Sequence, residues 1–223
     1  MNPGPGNTER KRVVVLVSGS GSNMVALADA CASADFPAEI VGVISDKPDA
    51  GGLAKAQARG IRTLSFARKD FSSKWEHEAA VLQALADLNA EIVCLAGYMR
   101  LLSADFIRPF EGRILNIHPS LLPLFPGLHT HQRALDAGVR VSGCTVHFVT
   151  EGMDEGPAIV QAVVPALAGD TAETLAARVL TVEHKSYPLA LRLVAEGKVR
   201  MTDAGAVERD GNQTDPAAHL ISA

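Results

Sequence analysis

Short apolar runs alternate with helical patterns along the chain, and this alternation limits the possible folds more than any other feature. The runs are RVVVLVS (12–18), AEIVGVIS (38–45), EIVCLAG (91–97) and RILNIH (113–118). They are apolar nearly throughout, as in strands that are buried on both faces. Patterns of helical period lie between them, the strongest at 72–90. This β-α-β-α order predicts an α/β, Rossmann-like fold, a mostly parallel sheet with helices on both faces.

The pattern changes after His118. The segments SGCTVHFVT (142–150) and PAIVQAVVP (157–165) flank the acidic stretch EGMDEG, which predicts an antiparallel C-terminal strand pair joined by a loop. A final helix is expected over roughly 172–196. It should be bent or interrupted at Pro188, because proline lacks the backbone N–H and clashes with the preceding turn.

Composition and charge exclude several classes of protein. Apolar residues make up 47% and charged residues 21%, as in ordinary globular domains. One domain is predicted over 12–201, between a flexible arm (1–11) and a tail (202–223). The net charge of −4 gives no basic surface for a nucleic acid. No apolar run reaches the roughly 18 residues of a membrane helix, and the polar start has no signal core, so a cytoplasmic protein without membrane or nucleic-acid partners is predicted.

Cysteines and histidines show no metal-binding pattern. Cys31, Cys94 and Cys144 are scattered in apolar segments, which is typical of small buried side chains rather than ligands. The sequence has no HExxH motif, and HTH at 129–131 stands without a nearby set of cysteines or carboxylates. It has no GxSxG motif for a serine nucleophile either. The sequence therefore predicts no metal site.

A glycine-rich stretch follows the first predicted strand. Gly19–Asn23 reads GSGSN, and glycines at a strand-to-helix turn let the backbone N–H groups approach an anion. Met24 occupies the third glycine position of a dinucleotide-binding motif, and no Gly-Lys-Ser/Thr follows for a Walker loop. An ordinary turn with Ser22 or Asn23 as N-cap is the structural alternative. The functional interpretation is a site for a compact phosphate, such as that of a sugar monophosphate.

Asn116 and His118 end a predicted strand two positions apart, so their side chains can point the same way. An amide donor beside an imidazole can bind and polarise a carbonyl oxygen. Asp154, in the acidic loop, is the natural third member if that loop folds over the same edge of the sheet. Taken singly, His118 is as well explained by a structural role, and Asp154 by turn chemistry.

Five motifs in combination resemble a known family. They are VVVLVSGSGSN, LAGYMRLLS, ILNIHPSLLPLFPGLHTH, TVHFVTEGMDEGP and VEHKSYP. The chain resembles the phosphoribosylglycinamide formyltransferases, folate-dependent enzymes of purine biosynthesis, from Arg12 to about Met201. The stretch from Asn116 to Pro126, coupled to Asp154, is specific to folate formyl transferases and their relatives.

The resemblance implies transfer of the formyl group of 10-formyltetrahydrofolate, a co-substrate, to the amine of glycinamide ribonucleotide, with no metal and no tightly bound cofactor. It implies a catalytic trio of Asn116, His118 and Asp154. The ribonucleotide would bind through its phosphate to Gly21, Ser22 and Asn23, and through its ribose to Glu183. The residues implied for the folate are Lys74, Met99, Arg100, Leu101, Leu102, Thr150, Glu151, Gly152 and Met153, with Asn116 and Asp154. Residues 12–100 would then form a phosphate-binding half, and 101–201 a folate and catalytic half.

Two positions depart from the family pattern. Lys74 stands where the family often has arginine, so a bidentate contact to a carboxylate is not assured there. Leu124 stands where a basic residue is frequent, at the rim of the proline-rich loop. The resemblance also implies a cis peptide bond at Leu122–Pro123.

The sequence leaves three alternatives open. Methionyl-tRNA formyltransferase shares the catalytic motif, but it has a further C-terminal module and needs a basic surface, and only a short tail follows Met201. Formyltetrahydrofolate hydrolase has a regulatory domain before the first strand, where this chain has only residues 1–11. A non-catalytic sugar-phosphate sensor would need none of the trio. A homodimer is neither required nor excluded.

Overall fold

A seven-stranded sheet forms the centre of the protein, in a computed structural model that describes residues 9–210. The strands have the spatial order β3-β2-β1-β4-β5-β6-β7. The first five run parallel, and β6 and β7 are antiparallel to their neighbours. The strands are β1 (Lys11–Val17), β2 (Ala38–Ser45), β3 (Thr63–Ser65), β4 (Ile92–Leu95), β5 (Ile114–His118), β6 (Val141–Phe148) and β7 (Ala158–Pro165).

Helices cover both faces of this sheet. They are α1 (Ser22–Cys31), α2 (Gly51–Gln57), α3 (Lys74–Asp87), α4 (Ala104–Ile107), α5 (Thr130–Asp136) and α6 (Ala172–Ala195). On one face, apolar side chains of α1, α2 and α6 pack into the larger core cluster, among them Met24, Leu53 and Leu191. On the other face, Leu85 of α3 and Phe106 of α4 belong to a second cluster. The predicted α/β architecture and the antiparallel strand pair are both confirmed.

Helix α6 is continuous through Pro188, so the predicted interruption there is wrong. An interior proline costs a helix about 3 kcal/mol through the missing hydrogen bond and the ring clash. Tyr187, Ala190 and Leu191 flank it and are fully buried, and burying one large apolar side chain contributes about 1.5–3 kcal/mol. Packing against the sheet therefore outweighs the local cost.

The described part of the predicted tail is structured. Strands β8 (Val199–Met201) and β9 (Val207–Arg209) form an antiparallel hairpin, and Arg209 Nη2 donates to the carbonyl oxygen of Ala158 at 2.7 Å. At the other end, β1 already begins at Lys11, inside the predicted arm. The rest of the predicted arm and tail, residues 1–8 and 211–223, lies outside the described residues. Within 9–210, no helix is long and apolar enough to cross a membrane.

Candidate active site

Strands β1, β4 and β5 are parallel neighbours, so the segments that follow them lie at one edge of the sheet. Gly19–Asn23 follows β1, Gly97–Leu102 follows β4, and the proline-rich loop follows β5. The Leu122–Pro123 bond in that loop is cis, as the resemblance implied.

The turn after β1 requires glycine at position 21. Gly21 has φ +72° and is the N-cap of α1, without a side-chain capping bond, so neither Ser22 nor Asn23 caps the helix as the structural alternative expected. A Cβ atom on Gly21 would lie 2.5 Å from Gly52 Cα. Gly52 N also donates to the carbonyl oxygen of Gly19 at 3.0 Å, so the turn rests on the start of α2.

Asn23 and Glu183 meet across the molecule. Asn23 Nδ2 donates to Glu183 Oε2 at 2.6 Å, which joins α1 to the middle of α6. Glu183 is buried, and this burial raises the pKa of its carboxyl group, while the hydrogen bond from Asn23 opposes the shift. Asn23 Oδ1 is buried and has no hydrogen-bond partner among the described residues. It is free to accept a hydrogen bond from a bound hydroxyl group.

Asn116 lies directly opposite His147 in the β5–β6 pair, and the two side chains are on the same face. Asn116 Nδ2 is 3.1 Å from His147 Nε2, and His147 Nδ1 is 2.9 Å from the carbonyl oxygen of Phe148. A carbonyl only accepts, so Nδ1 carries the proton and Nε2 accepts from the Asn116 amide. Burial lowers the pKa of His147, which favours this neutral ring. One amide hydrogen of Asn116 remains available.

His118 is held at both ring nitrogens. Its Nε2 lies 3.0 Å from the carbonyl oxygen of Phe125, and its Nδ1 lies 3.3 Å from Asp154 Oδ2. Because the carbonyl accepts from Nε2, only a doubly protonated imidazole can also donate to Asp154. Asp154 Oδ2 accepts from Gly127 N at 2.9 Å as well. The acidic loop thus folds back onto the strand end, and Asp154 reaches it with φ +58°, a conformation that aspartate tolerates better than most residues.

Asn116, His118, His147 and Asp154, called here the polar cluster, can together place an amide donor and a positive charge next to a carboxylate. Asp154 Oδ1 is 3.8 Å from His147 Nε2, which closes the cluster. The sequence interpretation missed His147, since only the register of β5 with β6 places it opposite Asn116. Alternation within TVHFVT was the available indication that His147 faces the same side as Thr145.

The segment 99–102 follows β4, the parallel neighbour of β5, at the same edge of the sheet, and it has no helix or strand geometry. Met99 and Leu101 are 67% and 64% exposed, so they offer apolar surface to a ligand. The two basic residues predicted to bind the folate, Arg100 and Lys74, form ion pairs within the protein. Arg100 Nε lies 2.7 Å from Asp46 Oδ2, and Lys74 Nζ lies 3.6 Å from Glu78 Oε1.

Thr150 and Glu151, two more of the predicted folate residues, line a groove with Ala104 and Arg108. Met153, next to Asp154, is 54% exposed. The structure therefore brings the predicted catalytic trio together and pairs Asn23 with Glu183.

Comparison with known proteins agrees with this geometry. The formyl transferase family model matches residues 11–191. Phosphoribosylglycinamide formyltransferase of Escherichia coli is 42% identical over 207 residues, which are 93% of this chain and 97% of that protein. The crystal structure of phosphoribosylglycinamide formyltransferase from Brucella melitensis has a TM-score of 0.84 and 60% identity, and the match covers 96% of this chain and 100% of that one.

Some relatives are much longer. The trifunctional purine biosynthetic protein adenosine-3 of Gallus gallus is 48% identical over 200 residues, which are 90% of this chain but 20% of that protein. This chain thus spans about a fifth of the length of such relatives. The family match covers most of the chain, and the E. coli relative is matched over nearly its whole length. The chain belongs to the formyl transferase family.

Proposed function

We propose that this chain transfers the formyl group of 10-formyltetrahydrofolate to the amine of glycinamide ribonucleotide, giving formylglycinamide ribonucleotide and tetrahydrofolate. The observation that carries the proposal is the polar cluster at the edge of the sheet. It joins an amide donor, an imidazole and a carboxylate through contacts of 3.1, 3.3 and 3.8 Å. The turn Gly19–Asn23, proposed to bind the phosphate, and the segment 99–102 lie at the same edge of the sheet. The full-length match to proteins named for this activity supports the choice of substrates.

The reaction begins when the ribonucleotide amine attacks the formyl carbon. The carbonyl π electrons move to oxygen, and a tetrahedral intermediate with an oxyanion forms. The free amide hydrogen of Asn116 donates to this oxygen, and the positive charge of His118 stabilises it. His147 accepts the other amide hydrogen and so fixes the direction in which Asn116 donates.

Asp154 has two tasks in this scheme. Its carboxylate lies 3.3 Å from His118 Nδ1 and accepts a hydrogen bond from the imidazolium. It also accepts the proton that the attacking amine must lose, directly or through a water molecule. When the intermediate collapses, the bond between the formyl carbon and N10 of the folate breaks, and N10 takes up a proton. The products are neutral at both nitrogens, and no redox step is involved.

Substrate binding is divided between two sets of residues. The phosphate binds to the backbone N–H groups of Gly21, Ser22 and Asn23, and the ribose hydroxyls bind to Glu183 and Asn23 Oδ1. The pterin lies against Met99–Leu102, with Thr150–Met153 at the border of its site. These small-molecule substrates require neither a membrane nor a nucleic acid, and we place the reaction in the cytoplasm.

The direct test is to mix the protein with both substrates and follow the loss of the formyl group from the folate. Formylated ribonucleotide should accumulate in equal amount to tetrahydrofolate. Formate released without the ribonucleotide, at the same rate as with it, would instead identify a hydrolase. Release of no formyl group under either condition would refute the proposal and favour a binding protein.

The Asn116→Leu variant tests the oxyanion contact. Removing one such donor lowers kcat by about a hundred- to a thousandfold, and substrate binding should change much less. The matched control is Gln83→Leu, which removes an amide from the exposed surface of α3 and should leave kcat unchanged. Equal losses in both variants would assign the effect to folding.

A double-mutant cycle tests whether His118 and Asp154 act as one unit. We expect His118→Ala combined with Asp154→Asn to cost far less than the product of the two single losses in kcat. Multiplicative losses in folded proteins would mean that the two residues act independently and that this mechanism is wrong.

A further inference from the structure

The segment 99–102 is held in place by side chains from outside it. It follows β4 and precedes α4, and it has neither helical nor strand geometry of its own. Three of its four residues, Met99, Arg100 and Leu101, are exposed to solvent. A segment of this kind keeps one shape only if other groups hold its backbone.

One buried carboxylate holds the start of the segment. Asp46 follows β2, and its side chain is 1% exposed. Its Oδ1 accepts from Ser18 Oγ at 2.5 Å, and its Oδ2 pairs with Arg100 Nε at 2.7 Å. The Ser18 hydroxyl accepts in turn from Met99 N at 2.9 Å. Asp46 is thereby connected to the backbone of Met99 and to the side chain of the next residue.

A second buried carboxylate holds the end of the segment. Glu78 lies on α3 and is 7% exposed. Its Oε1 accepts from Ser103 N at 3.0 Å, and its Oε2 accepts from Ser103 Oγ at 2.5 Å. Ser103 Oγ also accepts from Phe106 N at 3.2 Å, as the N-cap of α4. The backbone N–H and the hydroxyl group of Ser103 therefore both donate to the carboxylate of Glu78 on α3.

Each of the two carboxylates forms an ion pair with one partly exposed basic side chain. Arg100, paired with Asp46, is 41% exposed, and Lys74, paired with Glu78, is 53% exposed. The hydrogen bonds of Asp46 and those of Glu78 share no residue, and the two carboxylates come from different elements: Asp46 follows β2, and Glu78 lies on α3. Two independent anchors at the two ends of four residues fix their shape.

We infer that Asp46 and Glu78 are positioning residues for folate recognition, which hold the backbone of 99–102 in the shape that receives the pterin. This inference rests on the proposed function. A flat, polar heterocycle needs backbone groups aimed at its edge, and a preformed segment presents them without an ordering cost on binding. Charged acceptors suit this task because their hydrogen bonds are about twice as strong as neutral ones.

The experiment compares four variants, Asp46→Asn, Glu78→Gln, Ser18→Ala and Ser103→Ala, with the wild-type protein. Tetrahydrofolate and glycinamide ribonucleotide are titrated separately by calorimetry, and hydrogen exchange is followed at the amides of 97–103. Asp87→Asn is the matched control, since Asp87 is an exposed carboxylate on the same helix as Glu78.

Each of the four variants should raise the Kd for tetrahydrofolate by about five- to thirtyfold, the range for losing part of a charged hydrogen-bond pair. The Kd for the ribonucleotide should stay within about twofold. Exchange should accelerate at Met99 in the Asp46 and Ser18 variants, and at Ser103 in the Glu78 and Ser103 variants. At saturating folate, kcat should remain close to wild type, because the polar cluster is untouched.

The inference is overturned if the folded variants bind tetrahydrofolate as tightly as wild type, or if both ligands weaken equally. Equal weakening would show a general loss of structure rather than positioning. If the wild-type protein itself fails to bind tetrahydrofolate, the proposed function fails, and the inference fails with it. A variant that does not fold is replaced by the serine variant of the same clamp, which leaves the carboxylate in place.

Discussion

Gly21→Ala is the sharpest single test of the proposed phosphate site. Two costs act at this position. Alanine at φ +72° costs roughly 1–2 kcal/mol, because its Cβ crowds the following carbonyl group. The same Cβ would stand 2.5 Å from Gly52 Cα, a backbone atom that cannot rotate away. Since carbon atoms pack at about 3.5–4.0 Å, the turn or the start of α2 must move by about 1 Å.

Overpacking of this kind costs about 1–3 kcal/mol, so the total loss of stability is about 2–5 kcal/mol. Because the free energy of unfolding of natural domains is about 5–15 kcal/mol, the variant should still fold. For a chain of this length, Tm should drop by about 4–20 °C, at 2–4 °C for each kcal/mol. A displacement of about 1 Å in a positioned group costs on the order of a hundredfold in activity, and most of it should appear as weaker ribonucleotide binding.

Gly60→Ala separates the two costs. Gly60 has φ +71°, but nothing lies within 4 Å of a Cβ atom added there, and it follows α2, away from the turn. The Gly60→Ala variant should lose only the stability that the positive φ costs alanine, and it should bind the ribonucleotide like the wild-type protein. The assay is thermal unfolding together with ribonucleotide calorimetry for both variants. If Gly21→Ala binds the ribonucleotide within about twofold of wild type, the phosphate does not bind at this turn.

Three further predictions concern the rest of the site. Leu102→Asp should raise the folate Kd at least about tenfold by placing an unpaired charge against the pterin, and unchanged folate calorimetry would remove this segment from the site. Glu183→Gln should raise the ribonucleotide KM about tenfold and leave the folate KM unchanged; steady-state kinetics with each substrate varied would contradict it if both rose together. Because burial lowers the pKa of His147, the unfolded chain, with a pKa of about 6.5, binds this proton more readily than the folded protein. Above about pH 6.5, His147 should therefore not change the free energy of unfolding, and below it His147 should lower that free energy as the pH falls. Urea unfolding of His147→Gln should show a smaller loss of stability at low pH than the wild-type protein.

Local periodicity was sufficient to predict the sheet and part of the site. Buried β-branched runs predicted the strands, and the period of two placed Asn116 and His118 on one side of β5. The position of His147 was not predictable in this way, because it depends on the register between strands whose contacting residues are 31 positions apart. The same holds for Asp46 and Glu78, whose partners lie on other elements. Pro188 does not interrupt α6, because its local penalty is offset by burial that only the assembled core provides.

The two halves of the proposed site differ in how much of the chain must fold to create them. The polar cluster comes from the successive antiparallel strands β5 and β6 and the loop that follows β6, and its Asn116–His147 contact joins residues 31 positions apart. The Asn23–Glu183 bond joins residues 160 positions apart and exists only when α6 is docked on α1. A contact that closes the shorter loop has the lower entropic cost. Detachment of α6 would therefore abolish ribonucleotide binding, and bound ribonucleotide would in turn slow hydrogen exchange along α6.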